Sequence, residues 1–405
     1  MKKIFLSLII FLSINNFLEA QNNVEFSAQI RPRFEVDNKD FNNATETKNL
    51  GLLRTRVAMK FSPAENLELF FQAQDSRDMG YETNSLTNMK NLDVHQAYVK
   101  LRNFFELPVD IKLGRMEITY GSGRFLGINN WNNVGRAFDG AVVSIKANEH
   151  KFDFIAVKEE ENYQFGDSAD VDILAFVSDI YIASKFKVQP FIMWQKNTPL
   201  NILSRFSTGI YSKGALAGYF HEADLAYQFG ELTDENGAKL NIAAYIASIT
   251  VGVKLNLPVK PTFNAGLDIL SGDDNPNDES YNVFVSPYGD KHKFYGMMDY
   301  FKNNPLHTYN LGMINIRGGI AIDPVTGLNV KLDMHLLNSF EDYILNNGSR
   351  SKQFGTEGDL TIKYKYSEYI NLQAGASIFI PGEIFEETKG SDNSFWFYFM
   401  MVANL

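Results

Sequence analysis

The residues of this chain best suited to a specific chemistry are its arginines, which are unevenly distributed. Of the twelve arginines, nine lie before residue 140. A guanidinium group stays charged and can bind a carboxylate through two parallel hydrogen bonds, so such a cluster suits the holding of an anion better than proton transfer. The candidate binding residues are Arg31, Arg33, Arg54, Arg56, Arg77, Arg115, Arg124 and Arg136, with Asp75 and Asp139 as carboxylates that would hold neighbouring side chains in place.

The same arginines also have a purely structural interpretation. Carboxylates occur in the same part of the chain and could form a rigid ion-pair network with the guanidinium groups. The candidate partners are Glu25, Glu35, Glu68, Asp75 and Asp93. Anion binding and stiffening are compatible with each other, and the sequence leaves both open.

Patterns typical of catalysis or metal binding are missing from the sequence. The six histidines are dispersed, and no two of them have the spacing of metal ligands. A Gly-x-Ser-x-Gly motif does not occur in a usable strand–turn–helix setting. The run 273–279 resembles the start of a calcium-binding loop, but Asp278 stands where an EF-hand requires glycine and Phe284 where it requires glutamate. We therefore predict no catalytic residue, no metal and no cofactor.

Long parts of the sequence alternate between apolar and polar residues. In the segment from Val24 to Val36, one set of alternate residues is almost wholly apolar and the other set is wholly polar. The segment from Leu53 to Phe61 repeats the pattern, and so does the segment from Leu328 to Leu336. A period of two residues is typical of a β-strand with one apolar and one polar face. Pro32 interrupts the first segment and predicts a bulge or an edge-like position, because proline donates no hydrogen bond to a neighbouring strand.

About eighteen such segments can be distinguished along the chain. Compact polar breaks, such as 148–150 and 323–327, predict tight turns. The longer breaks predict outer loops or loops folded into a lumen, and they are Tyr81 to Asn91, Tyr120 to Gly135, Ser271 to Pro305 and Glu341 to Gly355. The last segment, Ser394 to Leu405, is rich in aromatic residues and suits a terminal strand that pairs with the first.

The fold class predicted from these features is all-β, a single closed antiparallel transmembrane barrel of about eighteen strands over residues 21–405. A soluble sandwich would also alternate, but residues 1–20 resemble a signal peptide, with Lys2 and Lys3 before an apolar stretch. No later stretch has the ~18 uninterrupted apolar residues of a spanning helix. Because the sequence contains no cysteine, disulfide bonds cannot hold the fold together. The net charge of −10 argues against a nucleic-acid partner.

A barrel of this kind fixes which way the arginines point. A charge on the lipid-facing side costs about 2–4 kcal/mol at mid-bilayer, so the polar faces carrying Arg31, Arg33, Arg54 and Arg56 should point into the lumen. Arg115 shares its parity with apolar neighbours such as Leu113. We expect a bulge at Gly114 to turn its side chain inward.

Several runs of the sequence resemble the alginate export family. The runs are Gln72–Arg77, Gln96–Lys100, Gly114–Phe125, Trp131–Gly140, Gly272–Asp274 and His292–Phe301. The likeness covers nearly the whole chain after residue 20 and implies an eighteen-stranded outer-membrane barrel with an arginine-rich constriction that passes an anionic polysaccharide. Met116 stands where many relatives are expected to have glutamine.

The function expected from the residues and the resemblance together is that of a channel in the bacterial outer membrane. It would pass an anionic solute, an acidic polysaccharide such as alginate, and its partners would be that solute, the outer-membrane lipid and periplasmic secretion proteins. The first alternative is a general or small-solute diffusion porin. The second is an outer-membrane hydrolase, which would need a Ser–His pair with an acid at one rim.

Overall fold

The strands of this chain follow the alternating segments of its sequence. The structure is a computed structural model that describes residues 23–80, 91–160, 171–197, 203–234 and 236–405. The strands are β1 (Val24–Asn38), β2 (Lys48–Ala64), β3 (Leu67–Asp78), β4 (Leu92–Leu101), β5 (Val109–Met116), β6 (Phe138–Ala147), β7 (His150–Glu160), β8 (Val171–Ala183), β9 (Phe186–Asn197), β10 (Leu203–Leu216), β11 (Tyr219–Thr233), β12 (Lys239–Lys254), β13 (Thr262–Leu270), β14 (Ser280–Tyr281), β15 (Met313–Val325), β16 (Leu328–Ile344), β17 (Arg350–Lys365), β18 (Ile370–Pro381) and β19 (Ser394–Asn404). The short helices are α1 (Asn304–His307) and α2 (Glu383–Thr388), with 3₁₀ turns at Phe104–Glu106 and Lys291–Lys293.

Eighteen of these strands form one closed antiparallel barrel, which confirms the predicted fold class. Each long strand pairs with its neighbours in sequence, and β14 is a two-residue strand inside a loop, paired in parallel with β12. The barrel closes where β19 pairs with β1, from Gln29 opposite Asn404 to Asn38 opposite Phe395. The ladder between β1 and β19 keeps one register but lacks pairs at Arg31 and Pro32. The proline therefore interrupts the hydrogen bonding without the predicted bulge.

The outer surface of the barrel is apolar because alternate side chains point outward. On β1 the outward set includes Phe26, which is 73% exposed, and Phe34, which is 51% exposed. Arg31 and Arg33 lie between these two phenylalanines in sequence and point inward, and each is only 4% exposed. Placing the apolar set against lipid instead of water stabilises the barrel by about 25 cal/mol for each Å² removed from water. Within the described residues, no helix is long and apolar enough to span a bilayer.

The two ends of the barrel differ in the length of their connections. At the end where β1 begins and β19 ends the turns are short, for example 148–149, 184–185 and 326–327. Short turns are typical of the periplasmic end of such barrels, and long loops are typical of the extracellular end. The prediction of a long loop over Glu341 to Gly355 is wrong, because β16 and β17 extend into this region and are joined by a short turn at residues 345–349. Where a strand extends beyond the bilayer, both of its faces can be polar, so the sequence no longer alternates and the strand cannot be recognised from its pattern. The predicted signal peptide and loop residues 81–90 lie outside the described residues.

Two long loops at the extracellular end fold back into the lumen, as the sequence allowed. They are residues 117–137, between β5 and β6, and residues 271–312, between β13 and β15. The two loops contact each other through a parallel bridge between Leu126 and Tyr288, and the Gly127 N–H donates to the carbonyl of Tyr288 at 2.9 Å. Phe125 and Phe284 are buried between them, with ring centroids 5.7 Å apart. The lumen is therefore partly filled by packed loops.

Candidate functional site

Four arginines on neighbouring strands share one patch of the inner wall. Arg31 and Arg33 lie on β1, and Arg54 and Arg56 lie on β2, with Arg31 directly opposite Arg54 in the ladder. All four side chains are at most 7% exposed. The alternation of the two strands directs them inward, because their outward neighbours are apolar residues such as Val57 and Phe34.

The guanidinium groups of this patch bind the backbone of residues 130–134, which we call the crossing segment. Arg31 Nη1 donates to the carbonyl of Asn130 at 2.6 Å, and Arg33 Nη1 donates to that of Trp131 at 2.6 Å. Arg54 Nη1 also donates to the carbonyl of Asn130, at 3.2 Å. Arg56 Nη2 donates to the carbonyl of Val134 at 3.2 Å. The arginine patch therefore fastens the crossing segment inside the lumen.

Carboxylates neutralise only part of this patch. Arg33 Nε lies 2.7 Å from Glu35 Oε1, and Arg56 Nη1 lies 3.1 Å from Glu117 Oε1. Among the described residues, Arg31 and Arg54 form no ion pair. Four guanidinium groups thus face two carboxylates, which leaves a formal excess of two positive charges on this wall.

Glu117, in the loop just beyond β5, is the carboxylate most enclosed by the patch. Burial opposes its ionisation, but a hydrogen bond from His95 and the charges of Arg56 and Arg54 outweigh burial and hold its pKa below the usual value. His95 Nε2 lies 2.9 Å from Glu117 Oε1 and 2.9 Å from Arg56 Nη2. An ionised Glu117 accepts from both neighbours and orients the Arg56 side chain toward the crossing segment.

Arg124 and Arg136 hold the two lumenal loops instead of lining an open path. Arg124 is 2% exposed; its Nη2 donates to Ser248 Oγ at 3.0 Å and lies 3.4 Å from Asp268 Oδ1. Arg136 Nη1 donates to the carbonyls of Gly127 and Gly289, each at 3.2 Å. Arg124 thus ties the first loop to strands β12 and β13, and Arg136 ties the first loop to the second.

Two cavities lie in the lumen on either side of the crossing segment. The outer cavity has a volume of about 470 Å³, and its charged lining residues are Arg33, Lys39, Lys291, Lys302, Glu35, Asp37 and Asp299. The inner cavity has a volume of about 660 Å³, and its charged lining residues are Arg124, Lys293, Arg317, Lys331, Lys363, Glu222, Asp224, Asp268, Asp290, Asp333 and Asp359. Trp131 and His292 line both cavities.

Trp131 and His292 meet face to face between these cavities. Their ring centroids are 4.0 Å apart and the ring planes differ by 8°. The Arg33 guanidinium carbon lies 4.3 Å from the centre of the Trp131 ring, and Tyr398 contacts that ring edge-on at 4.9 Å. His292 Nδ1 lies 2.9 Å from Asp299 Oδ1. The stack therefore joins one residue from each lumenal loop where the two cavities meet.

The carboxylates near His292 differ in their electrostatic setting. Burial alone would raise the pKa of Asp299, but the hydrogen bond and charge of His292 outweigh it, so its pKa lies below the usual value. Burial dominates at Asp290 and raises its pKa, although His292 and Lys293 oppose the shift. An ionised Asp299 is the stronger acceptor of the two and fixes the orientation of the His292 ring.

The family of the chain follows from its match to a family model. The model for alginate export matches residues 22–174 and 197–399. The chain belongs to the alginate export family. Among curated proteins, none matches it.

Solved structures show how widely the barrel of this alginate export family member is shared. OccK5 (OpdH) of Pseudomonas aeruginosa has a TM-score of 0.63 at 12% identity, over 95% of this chain and 98% of that chain. OccAB4 of Acinetobacter baumannii has a TM-score of 0.62 at 11% identity, over 95% and 98%. The outer membrane protein opdK of Pseudomonas aeruginosa has a TM-score of 0.61 at 11% identity, over 95% and 99%. At these identities the likeness shows a shared fold.

Family and fold together place the protein in the bacterial outer membrane and make it a channel. Both are those of transport channels and porins, not of enzymes. The eighteen-stranded barrel and the resemblance to the alginate export family are thereby confirmed.

Two predicted pore-lining pairs of this family member lie on the outward face instead. Arg77 Nε donates to Asp75 Oδ1 at 2.7 Å, but the alternate residues of β3 point inward: Gln74 is 3% exposed, and Ser76 Oγ donates to the crossing-segment carbonyl of Asn133. The predicted pairing of Asp75 with Arg77 is present, whereas the predicted inward orientation is wrong.

Arg115 and Asp139 are the second such pair. They lie opposite each other on β5 and β6, and Arg115 Nη1 is 2.5 Å from Asp139 Oδ2. The ladders of β5 with β4 and β6 contain no register shift, so the bulge expected at Gly114 is not found and Arg115 keeps the outward parity of Leu113. Both residues lie near the outer ends of their strands, where a lipid-facing charge costs only about 0–1 kcal/mol.

The pattern reading of the sequence missed the stack of Trp131 and His292. Both residues stand in the runs that carry the family resemblance, but His292 has no partner at metal-ligand spacing and Trp131 follows no alternation. The available signal was a tryptophan within a polar, glycine-containing loop, since a large aromatic residue in a long break needs a packed partner.

Proposed function

We propose that this outer-membrane channel passes an anionic solute, and that the solute is an acidic polysaccharide such as alginate. The observation that carries the proposal is the excess positive charge beside the crossing segment, where, within the described ranges, Glu35 and Glu117 are the carboxylates that form ion pairs with the four arginines Arg31, Arg33, Arg54 and Arg56. In a narrow tube with low-dielectric walls, such an excess attracts anions and repels cations. The carbonyl groups of the crossing segment orient the guanidinium groups without cancelling their formal charge.

Lysines further along the wall support the same direction of selectivity. Inward-facing lysines recur toward the periplasmic end, and they include Lys60, Lys100, Lys112, Lys146, Lys151, Lys187, Lys331 and Lys363. Several of them share carboxylates; for example, Lys146 Nζ lies 2.7 Å and Lys100 Nζ 3.8 Å from the same Asp110 oxygen. Many weak sites in series let a polyanion advance without being trapped at one of them.

The first test of this proposal is ion selectivity in a planar bilayer. Lys302 lines the outer cavity and Lys363 the inner cavity, so changing both to glutamate reverses charge on the path without touching the residues that hold the crossing segment. We expect the wild-type channel to prefer anions under a salt gradient. The K302E/K363E channel should move its reversal potential toward cation preference, and the shift should shrink at 1 M salt, where the screening length falls to about 3 Å.

A matched control is the same charge reversal on the outside of the barrel. Lys196 is exposed on the outward face of β9, so K196E changes the net charge by the same amount per site and leaves the lumen unaltered. K196E should keep the wild-type reversal potential. A wild-type channel that prefers cations at low salt would overturn the proposal.

The size and chemistry of the solute need a separate measurement. Short uronate oligomers added to one side should interrupt the current at low salt, whereas neutral oligosaccharides of equal length should not. A polymer would also require periplasmic secretion proteins at the end of the barrel where the turns are short, and cross-linking in whole cells would reveal them.

A small-solute diffusion porin is the second candidate, and the inner cavity favours it. That cavity is lined by six carboxylates and five cationic side chains, a mixed surface that suits no single charge. Under this alternative, neutral sugars and small uronates of equal size would enter proteoliposomes at similar rates and uronate oligomers would leave the current unchanged.

A further inference from the structure

We propose that the stack of Trp131 on His292 sets the aperture of the channel and so determines the largest solute that passes. The proposal rests on the channel assignment alone and holds for a charged or a neutral cargo. Its starting observation is that Trp131 and His292 line both the outer and the inner cavity, whereas Arg33 lines the outer cavity alone.

The stack has the geometry of a contact that closes a gap between two loops. Trp131 belongs to the loop before β6, and His292 belongs to the loop before β15. With centroids 4.0 Å apart and planes 8° from parallel, the rings are in van der Waals contact and leave no room for a water molecule between them. The wall beside the stack is also aromatic, since Trp131 contacts Trp396 and Tyr398 edge-on, and their strand β19 is paired with β1.

The two halves of the stack are held with unequal strength. Arg31, Arg33 and Arg54 bind the backbone on either side of Trp131, so the tryptophan is fixed to the wall of β1 and β2. His292 is held through its ring by Asp299 at Nδ1, while its Nε2 is buried and has no hydrogen-bond partner among the described residues. A buried nitrogen without a partner regains hydrogen bonds when it moves into water. We therefore expect the aperture to widen by movement of the His292 side chain away from Trp131.

This assignment gives the arginine patch a positioning role in addition to any attraction of anions. The guanidinium groups hold the tryptophan where the histidine can close against it. The stack would then select solutes by size, and the charged walls on either side of it would select them by charge.

The experiment is to remove either ring and measure the pore. W131A and H292A should each raise single-channel conductance by about twofold or more, because conductance follows the narrowest cross-section. Each should also admit larger neutral sugars into proteoliposomes than the wild-type channel does. W194A is the matched control. Trp194 lies outside the lumen, where its Nε1 donates to Ser204 Oγ. The W194A variant therefore loses an indole ring and should keep the lumen of the wild-type channel.

A conservative variant separates the stack from the hydrogen bond. H292F keeps a flat ring against Trp131 but removes the partner of Asp299, so it should retain a conductance and a sugar size limit close to those of the wild type. The folded state of each variant is checked by its heat-dependent mobility on a gel. Folded W131A and H292A channels with unchanged conductance and size limit would overturn the proposal, and so would an H292F channel as open as H292A. Because only neutral sugars and total conductance are read, failure here leaves the anion proposal standing, and failure of the reversal-potential test leaves this one standing.

Discussion

At the scale of single residues, the lumenal arginines of this channel bind the backbone of a loop. The alternation of β1 and β2 was enough to predict that Arg31 and Arg54 point inward, because their strand neighbours are apolar on the opposite face. The alternation could not predict which groups these arginines bind. Their partners are carbonyls 76 to 99 positions away in sequence, which come close only when the loop has folded into the lumen. Asp75 and Arg77 share the parity of the apolar Phe71 on β3, whereas their predicted lumenal position rested on the clustering of the arginines and on the family resemblance.

The binding of the crossing segment by arginine can be tested through stability. Replacing Arg54 with alanine removes donors to the carbonyls of Asn130 and Asn132 and to Gln29 Oε1, so we expect the free energy of unfolding to fall by about 2 kcal/mol. The measurement is urea-induced unfolding in phospholipid vesicles. R350A is the matched control, because Arg350 is 73% exposed in its pair with Asp342 and such a surface change alters stability by about 0.5 kcal/mol or less. Equal losses in the two variants would refute a fastening role for Arg54.

At the scale of elements, the two inward loops fill part of a lumen that the strands alone would leave open. The sequence predicted their existence as long breaks and left open whether they decorate the outside or fill the lumen. The choice depends on contacts between residues far apart in sequence, such as the Met298 N–H donating to Glu357 Oε1 of β17 at 2.7 Å. No local pattern encodes such a contact. The tip at 274–279, by contrast, is exposed throughout and lies apart from the stack.

Gly296 offers a precise test of how the second loop docks on the wall. Its φ of +91° favours glycine, and an added Cβ would lie 2.3 Å from Glu357 Oε2. We expect G296A to push the loop away from β17 and to make the single-channel current fluctuate between conductance levels. Gly348 has a similar φ of +83° but has no atom within 4 Å of an added Cβ. G348A therefore carries the same backbone strain without the collision, and matching current traces from the two variants would show that the docking contact is unimportant.

At the scale of the whole molecule, the closed barrel was the feature most fully predictable from the sequence. Period-two alternation is local, recurs along the whole chain and needs no knowledge of distant contacts. The closing pair of strands was predictable as well, since the aromatic-rich, apolar segment from Ser394 to Leu405 suits a terminal strand that pairs with the first. Strand ends were less predictable: β16 and β17 continue past the bilayer, where both faces meet water and the pattern fades.

The lipid-facing surface predicts how the stability of the barrel depends on depth. Phe399 lies at the middle of β19 and is 47% exposed on the outward face, whereas Phe395 lies near the outer end of the same strand and is 44% exposed. An arginine at the bilayer midplane costs about 2–4 kcal/mol and one near the interface about 0–1 kcal/mol. F399R should therefore lower the free energy of unfolding in vesicles by several times as much as F395R does, although both variants lose the same ring and gain the same charge. Equal losses would mean that β19 is shielded from lipid along its length, by a second copy of the chain or another protein, and the measurement is a urea titration of both variants in vesicles of one fixed thickness.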